Sequence, residues 1–199
     1  MEEHRQRAKE LMEEVLENSL VFTLCNGYTM RMNTLPAIDF SDNPTDCCPR
    51  FNPEPWDKRE FTFEDLHFVK AVTRSLFYMP LNMNSVMPKI QGAIARAKAS
   101  PKDKYFMLSK DLSPWKSEHY LLVESEVPGY PRQTITGTWY SQVFEGPFHN
   151  MGIWMKEFNE ELKSLNTAAL DYAAFYTTCP NCVRTYGKNY VVLFGKIRE

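Results

Sequence analysis

The chain has 199 residues, enough for one well-buried core, and its formal charge of −2 comes from interspersed acidic and basic side chains. This balance offers no basic stripe for nucleic acid, so we expect no nucleic-acid partner. No apolar stretch reaches the roughly 20 residues that span a bilayer, and the N-terminus resembles a charged helix more than a signal peptide, which predicts a soluble, cytoplasmic protein without a membrane partner.

Residues 1–57 are predicted to be an extension of the main domain. Apolar residues recur at three- and four-residue steps over 3–18, which predicts an amphipathic helix. Short extended pieces are expected at 21–24 and 28–32. Residues 43–57 then hold four prolines and the adjacent Cys47 and Cys48. We expect this stretch to be an ordered loop, because Phe51 and Trp56 would be costly to leave in water.

Residues 58–199 are predicted to contain one local pattern twice, over 58–127 and 132–199. Each copy has an extended run, a proline (Pro80 or Pro147), an amphipathic helix and two more extended runs. Helices are expected at 82–99 and 148–165, and strands at 60–63, 67–78, 105–109, 120–127, 134–145, 171–177 and 190–196. The pattern predicts an α+β fold of duplicated β-α-β-β units that form an antiparallel sheet, with two helices on one face and the N-terminal helix added.

The predicted strand over 134–145, the first of the second copy, leads into the turn Val143-Phe144-Glu145-Gly146-Pro147-Phe148. With the element order over 59–199, this turn resembles the GyrI-like family of small-molecule-binding domains, also called the effector-binding domain of bacterial transcription activators. The resemblance implies a cleft between the two repeats, lined by aromatic and acidic groups. Family members sense lipophilic cations, inhibit gyrase or hydrolyse reactive cyclopropane-bearing compounds. Gly146 and Pro147 also suit a turn and a first helical position for purely structural reasons.

The cysteines form a second pattern. Cys179 and Cys182 lie in a Cys-Pro-Asn-Cys motif in the predicted turn between the last two strands, where two thiolates can hold one metal ion. Cys47 and Cys48 can complete a structural zinc site, although adjacent cysteines rarely share an ion and Cys25 or a histidine is an alternative ligand. A redox dithiol and unreactive buried thiols remain open. No phosphate-binding glycine loop appears, so we expect no nucleotide cofactor.

The segments around these cysteines also resemble a branch of uncharacterised bacterial proteins that are labelled hydrolases. The resemblance rests on the run from Cys47 to Asp57 and on the C-terminal Cys-Pro-Asn-Cys and Tyr-Gly-Lys-Asn-Tyr-Val-Val-Leu-Phe segments. The ordinary GyrI-like members lack this cysteine set, and the chain also lacks their helix-turn-helix partner domain.

Aromatic and acidic side chains are the candidates for lining the cleft, because rings stack on flat or cationic ligands and carboxylates counter a positive charge. Glu145 is also the candidate general base for water, with the alternative that it is an exposed carboxylate near a helix N-terminus. Neighbouring Trp139 and Tyr140 point to opposite sheet faces, so at most one lines the cleft. The candidates are Tyr78, Trp115, Tyr120, Glu124, Trp139, Tyr140 and Glu145.

These observations support three hypotheses of function. The first is binding of a lipophilic or cationic small molecule in the cleft, for sequestration or detoxification. The second is a hydrolase that opens a reactive xenobiotic electrophile with a cleft carboxylate as general base. The third is a protein-interaction module that resembles gyrase inhibitors. The sequence contains no G-x-S-x-G or H-E-x-x-H motif, so neither serine-type nor zinc-type hydrolysis is indicated by a motif.

Overall fold

A computed structural model describes residues 30–32, 34–102 and 104–199. The predicted helix over 3–18, the predicted strand over 21–24 and Cys25 lie outside these residues. Three α-helices are described: α1 (Met83–Arg96), α2 (Met151–Ser164) and α3 (Pro180–Tyr186). The eight described strands are β1 (Met30–Met32), β2 (Arg59–Leu76), β3 (Met79–Pro80), β4 (Met107–Ser113), β5 (Lys116–Leu122), β6 (Arg132–Glu145), β7 (Asp171–Tyr176) and β8 (Tyr190–Arg198).

Six of these strands close into an antiparallel barrel. The order around the ring is β2-β5-β4-β7-β8-β6, and β6 pairs back with β2 from Arg59 opposite Ser141 to Val69 opposite Arg132. β1 and β3 pair with β2 outside the ring, β1 in parallel. The predicted α+β class with an antiparallel sheet is therefore confirmed. The closure of that sheet was not predicted, because it depends on pairing between strands about 70 residues apart.

The barrel interior is packed with aromatic and aliphatic side chains. Alternation along each strand sends every second residue inward, and Trp56 joins them from the 3-10 helix Glu54–Trp56. Trp56 is 2% exposed and its ring contacts five phenylalanines, as predicted for a tryptophan in an ordered loop. The buried members of this cluster are Leu35, Trp56, Phe61, Phe63, Phe68, Phe106, Leu108, Ile135, Trp139, Ala173, Phe175, Val192 and Phe194.

Helices α1 and α2 both pack on the outer face of the barrel, each over its own apolar cluster. Ile90, Ala93 and Ile94 of α1 cover residues of β2, β4 and β5. Trp154 and Phe158 of α2 are buried over β6, β7 and β8, so these two aromatics belong to the core. None of the helices in the described residues has the length and apolarity needed to cross a membrane.

Several element boundaries differ from the predicted ones. The two extended runs at 60–63 and 67–78 form the single 18-residue strand β2, with a register irregularity between Phe63 and Leu66. The polar loop near Trp115 is a two-residue turn between β4 and β5. The Cys-Pro-Asn-Cys motif does not lie in a plain strand-to-strand turn, because Pro180 is suited to a first helical position and α3 begins there.

Candidate functional sites

Four cysteines meet at one end of the barrel. Cys47 and Cys48 come from the loop that precedes Trp56, and Cys179 and Cys182 come from the first turn of α3, between β7 and β8. The four sulfur atoms all lie within 4.8 Å of one another. We call this group the cysteine cluster, and the barrel end that carries it the cysteine end.

The spacing of the sulfurs matches a tetrahedral metal site. Cys47 Sγ lies 3.7 Å from Cys48 Sγ and 3.8 Å from Cys179 Sγ. A zinc ion bonded at ~2.3 Å to four tetrahedral sulfurs separates each sulfur pair by about 3.8 Å. All four thiols are free. The two adjacent cysteines can both contribute because Asp46, just before them, has a left-handed φ of 52° that turns the loop.

Polar groups around the cluster fix its two halves together. The backbone N–H of Cys179 donates to Cys48 Sγ at 3.4 Å, and Cys182 Sγ lies 3.2 Å from the Thr45 hydroxyl oxygen. The Tyr186 hydroxyl of α3 donates to the Cys48 carbonyl oxygen and lies 3.0 Å from the Thr45 hydroxyl. Such outer contacts orient the ligands of metal sites.

The thiols are electrostatically inequivalent. Burial raises the pKa of Cys47 and of Cys48. Burial also acts to raise the pKa of Cys182, but hydrogen bonds with Thr45 and with the neighbouring cysteines outweigh it and lower that pKa to about 7. Metal ligation requires thiolates, so a bound cation would displace the remaining thiol protons.

A cluster of charged side chains lies inside the opposite end of the barrel. Glu118 is 8% exposed, and its two carboxylate oxygens accept from Lys70 Nζ at 3.1 Å and from the Tyr120 hydroxyl at 2.7 Å. Lys110 pairs with Asp171 beside them. We call Lys70, Lys110, Glu118, Tyr120 and Asp171 the polar cluster, and this end the polar end.

Near neutral pH, Glu118 is ionised and the Tyr120 hydroxyl that donates to it keeps its proton. The bond from Tyr120, followed by the contact with Lys70, lowers the pKa of Glu118 despite its burial. Burial and the bond to Glu118 raise the pKa of Tyr120. Lys110 Nζ stands 5.8 Å from the centre of the Tyr120 ring and 5.4 Å from that of Trp139, so these rings already face a cation.

A buried imidazole lies on the outer face of the same strands. His119 Nε2 is 2.9 Å from the Thr73 hydroxyl, and His119 Nδ1 is 2.9 Å from the Ser109 hydroxyl. His119 is 3% exposed and Ser109 is 6% exposed. Burial lowers the pKa of His119, with the charge of Asp111 acting in the opposite direction. We call Thr73, Ser109 and His119 the hydroxyl–imidazole group, in which the ring is neutral at neutral pH.

The predicted cleft-lining residues do not converge on one surface. Trp139 and Tyr120 face the barrel interior, whereas Tyr140 faces outward under α2, where its hydroxyl donates to Glu161 at 3.1 Å. Tyr78 and Trp115 are exposed on turns at the polar end. Trp139 and Tyr140 thus point to opposite sheet faces, as alternation predicts.

The two predicted acids lie on the surface. Glu145, at the end of β6, is half-exposed and its carboxylate is 3.6 Å from Lys188 Nζ. Gly146, the next residue, adopts a φ of +143° before the 3-10 helix Phe148–Asn150, so this turn has the structural role that glycine and proline suggest. Glu124 is exposed just beyond β5. Within the described residues, neither carboxylate forms a hydrogen bond or an ion pair with the polar cluster or the hydroxyl–imidazole group.

A groove of about 530 Å³ follows the connection between the two predicted repeats. Val69, Val123 and Tyr130 form part of its apolar wall, and Glu126 and Arg132 lie along it. It contains none of the seven predicted lining residues. A smaller cavity of about 110 Å³ lies near the cysteine end, between Leu35, Phe63 and Leu122.

Sequence reasoning missed the polar cluster and the hydroxyl–imidazole group. Lys110 and Glu118 alternate with other polar residues and therefore resemble solvated strand positions. Ser109 and Thr73 are 10 and 46 residues from His119, so no local motif joins them. One feature of the sequence could have indicated the hydroxyl–imidazole group. Several Ser, Thr and His residues lie on the predicted strands, and polar side chains that are buried there need hydrogen-bond partners.

Comparison with known proteins gives one family. No curated protein matches the chain. A solved structure, an uncharacterized conserved protein from Listeria innocua, is 11% identical, with a TM-score of 0.48 over 71% of this chain and 92% of that one. The model of the bacterial hydrolase family matches residues 38–197, which include both cysteine pairs and the six barrel strands except the last residue of β8. The chain belongs to the bacterial hydrolase family.

Proposed function

We propose that this protein is a barrel domain whose cysteine end is held together by one structural zinc ion, bound by Cys47, Cys48, Cys179 and Cys182. The observation that carries the proposal is the pair of sulfur separations, 3.7 and 3.8 Å, which equal the edge of a ZnS4 tetrahedron. Four sulfur ligands leave no coordination position for a substrate. The ion would therefore act on folding and not on chemistry.

The ion would join two segments that are far apart in the sequence. Cys48 and Cys179 are 131 residues apart, and the loop that carries Cys48 leads directly to the buried Trp56. Fixing this loop to α3 would therefore also hold Trp56 in place inside the barrel. A cytoplasmic location fits the proposal, because thiols remain reduced there and bind metals more readily than they form disulfides.

Metal analysis of the purified chain tests the zinc proposal. We expect about one zinc per chain, because four thiolates complete a structural site. Cys47→Ser and Cys179→Ser should each lose most of the zinc. Cys25→Ser is the matched control and should retain it, since the four proposed ligands already complete a tetrahedral site. Zinc retained by both cluster variants, or a metal-free chain with a Cys179–Cys182 disulfide, would refute the proposal and favour a redox dithiol.

The second candidate function is hydrolysis of a small electrophile at the hydroxyl–imidazole group. The specific observation is the 2.9 Å separation between Ser109 Oγ and His119 Nδ1, in a chain of the bacterial hydrolase family. Neutral His119 would accept the hydroxyl proton at Nδ1 while Ser109 Oγ attacks the carbonyl carbon of an ester. The bond to the alcohol oxygen would then break, and the imidazole would return the proton to that oxygen. Water would then release the product and regenerate the serine. Thr73 would be a positioning residue that fixes the second ring nitrogen.

The carboxylate-base version of the hydrolase hypothesis has less support. Glu145 is half-exposed beside Lys188. Both oxygens of Glu118 already accept from other side chains, and its pKa is lowered, which makes it a weak base. His119 keeps a neutral ring in a buried setting and is the better proton acceptor near neutral pH.

A fluorophosphonate probe and 4-nitrophenyl acetate test this second candidate. We expect covalent labelling of Ser109 and measurable ester hydrolysis, both lost in Ser109→Ala and His119→Asn. Ser125→Ala, which removes an exposed hydroxyl, is the control and should change neither. Far-ultraviolet circular dichroism establishes that the variants are folded. Hydrolysis that persists in folded Ser109→Ala would exclude the serine nucleophile.

We also propose that the halves are duplicated β-α-β-β units, related to the GyrI-like family. Exchanging β2 with β6, β4 with β7 and β5 with β8 maps every strand pairing of the ring onto another pairing of the same ring. The exchange also carries α1, over its outer cluster, onto α2. This pseudo-two-fold arrangement supports duplication, and a second barrel structure from the same family, superposed half on half, would test it.

A further inference from the structure

Exposed apolar side chains are concentrated at the polar end. Among the described residues, eight of the eleven exposed large apolar side chains come from the end of β2, from β3 and the chain after it, and from the end of β4 with its following turn. We call these eight the apolar rim: Val72, Leu76, Phe77, Tyr78, Met79, Leu81, Leu112 and Trp115. Single exposed apolar residues are ordinary, whereas a grouped set indicates a binding surface.

The rim is held in a defined shape. Phe77 and Tyr78 have left-handed φ values of 48° and 68°, which are unfavourable for aromatic residues. The turn between β4 and β5 keeps them there, since the Tyr78 N–H donates to the Pro114 carbonyl and the Ser75 N–H to the Trp115 carbonyl. The rings of Phe77 and Trp115 consequently lie 5.1 Å apart, at 71% and 55% exposure.

The rim is continuous with the charged interior of the polar end. Val72 lies opposite Glu118 in the β2–β5 pairing, so the two side chains are neighbours on one sheet face. Arg74 lies opposite Lys116 two residues further along the same face. An apolar surface therefore passes directly into a charged one.

The charge on this face is positive. Its basic residues are Lys70, Arg74, Lys110, Lys116 and Lys196, and the acidic residues that pair with them are Glu118, Asp171 and Glu199, the last of which pairs with Lys196. Lys70 and Lys116 share one carboxylate, that of Glu118, at 3.1 and 3.9 Å. Two positive charges are thus in excess, and Lys116 and Arg74 are the exposed ones.

We infer that the polar end binds a small amphiphilic anion, with its apolar body on Phe77 and Trp115 and its anionic group toward Arg74 and Lys116. Charge complementarity selects an anion over the cation expected from the sequence, because Lys110 already occupies the faces of Tyr120 and Trp139. The inference depends neither on the zinc site nor on hydrolysis.

Two ligands with the same tail and opposite head groups provide the test. Isothermal titration calorimetry of the zinc-loaded, full-length chain would compare monomeric laurate with monomeric dodecyltrimethylammonium. We expect laurate to bind at least about tenfold more tightly, because like charges facing each other oppose binding. Equal binding of the two ligands, or tighter binding of the cation, would overturn the inference.

Paired variants assign the binding to the proposed residues. The double variant Arg74→Glu and Lys116→Glu should remove the preference for laurate, and Phe77→Ser with Trp115→Ser should weaken both ligands about tenfold or more. The controls are Lys163→Glu and Ile153→Ser, which alter an exposed charge and an exposed apolar residue on α2 and should leave both affinities unchanged. If the controls weaken laurate as strongly as the rim variants do, the binding is nonspecific and the assignment fails.

Competing occupants have distinct signatures. Concentration-dependent dimerisation in sedimentation velocity that Phe77→Ser abolishes, without laurate binding, would assign the rim to a second copy of the chain. Co-sedimentation with phosphatidylglycerol vesicles in the absence of laurate binding would assign it to a membrane surface. Either result overturns the small-anion inference, whereas ester hydrolysis at Ser109 can succeed or fail independently.

Discussion

The two ends of this barrel use the same strands in opposite ways. At the cysteine end, four thiols and the loop before Trp56 join distant segments and cover an aromatic interior. At the polar end, the inward positions carry three lysines and two acids, and the adjoining apolar side chains are exposed to water. We therefore propose that the cysteine end holds the barrel together and that the polar end binds a ligand.

We infer from this contrast that the small barrel separates stability from function. Aromatic side chains fill the interior next to the cysteine end, and we propose that the four sulfurs add stability there by binding one zinc ion. Charged groups inside a barrel cost desolvation free energy and persist only when paired, as Glu118 is with Lys70 and Tyr120. We therefore expect changes at the cysteine end to reduce the free energy of unfolding most, and changes at the polar end to alter binding.

Removal of zinc should have the largest effect on stability. We expect chelation to lower the free energy of unfolding by on the order of 5 kcal/mol, because binding free energy at a structural zinc site is folding free energy. Urea unfolding with and without chelator measures the difference. The Cys47→Ser variant should already have low stability and respond little to chelator. An unchanged urea midpoint after complete zinc removal would contradict this role.

Two tryptophans at opposite ends offer a matched pair of substitutions. Trp56 is 2% exposed in the aromatic interior, so Trp56→Ala should cost about 3 to 5 kcal/mol through lost packing and a cavity. Trp115 is 55% exposed, so Trp115→Ala should change the free energy of unfolding by less than about 0.5 kcal/mol. Thermal and urea unfolding of both variants checks the difference. Similar losses in the two variants would mean that the ends do not differ in packing.

Substitution of Glu118 tests the paired charges at the polar end. The pKa of Glu118 is lowered below its ordinary value of 4.5, so its stabilising charge is present above that value and is lost as the pH falls through the folded pKa. Glu118→Gln should therefore cost about 1 to 2 kcal/mol at pH 7 and progressively less at acidic pH. Urea unfolding at several pH values follows the change, with the exposed Glu126→Gln as control. A cost that does not vary with pH would argue against an ionised, paired Glu118.

His119 should produce the smallest effect, which is a pH dependence of the free energy of unfolding between acidic and neutral pH. Burial lowers its pKa below the ordinary 6.5, so the unfolded chain binds the proton first. The corresponding stability is complete above pH 6.5 and is lost as the pH falls from there through the folded pKa. His119→Gln should flatten this slope of the free energy of unfolding, while the exposed His149→Gln should preserve it. An identical slope in both variants would show that His119 is not the titrating group.

The elements with local signals were predictable from the sequence. The apolar stripes of α1 and α2 repeat at helical spacing, and both helices form within a few residues of the predicted bounds. The four cysteines were grouped correctly because each pair is local in sequence and because one metal ion can bind thiolates from two distant segments. Burial of Trp56 was expected because its large apolar ring would be costly to expose to water.

Features that depend on distant pairing were not predictable. Barrel closure needs β2 to pair with β6, and the hydroxyl–imidazole group needs Thr73 to lie beside His119 across β2 and β5. α3 was missed because it has seven residues, too few for a periodic pattern. The predicted cleft residues do not lie together for the same reason. The register of each strand decides which face of the sheet a side chain is on, and that register is set by pairing around the closed ring.

X-ray absorption at the zinc edge of the chain, purified without added metal, tests the central claim most directly. We predict a first shell of four sulfur atoms at ~2.3 Å and no light-atom ligand. A first shell that contains nitrogen or oxygen at ~2.0–2.1 Å would contradict the four-cysteine site, as would a zinc-free protein whose cysteine end remains folded.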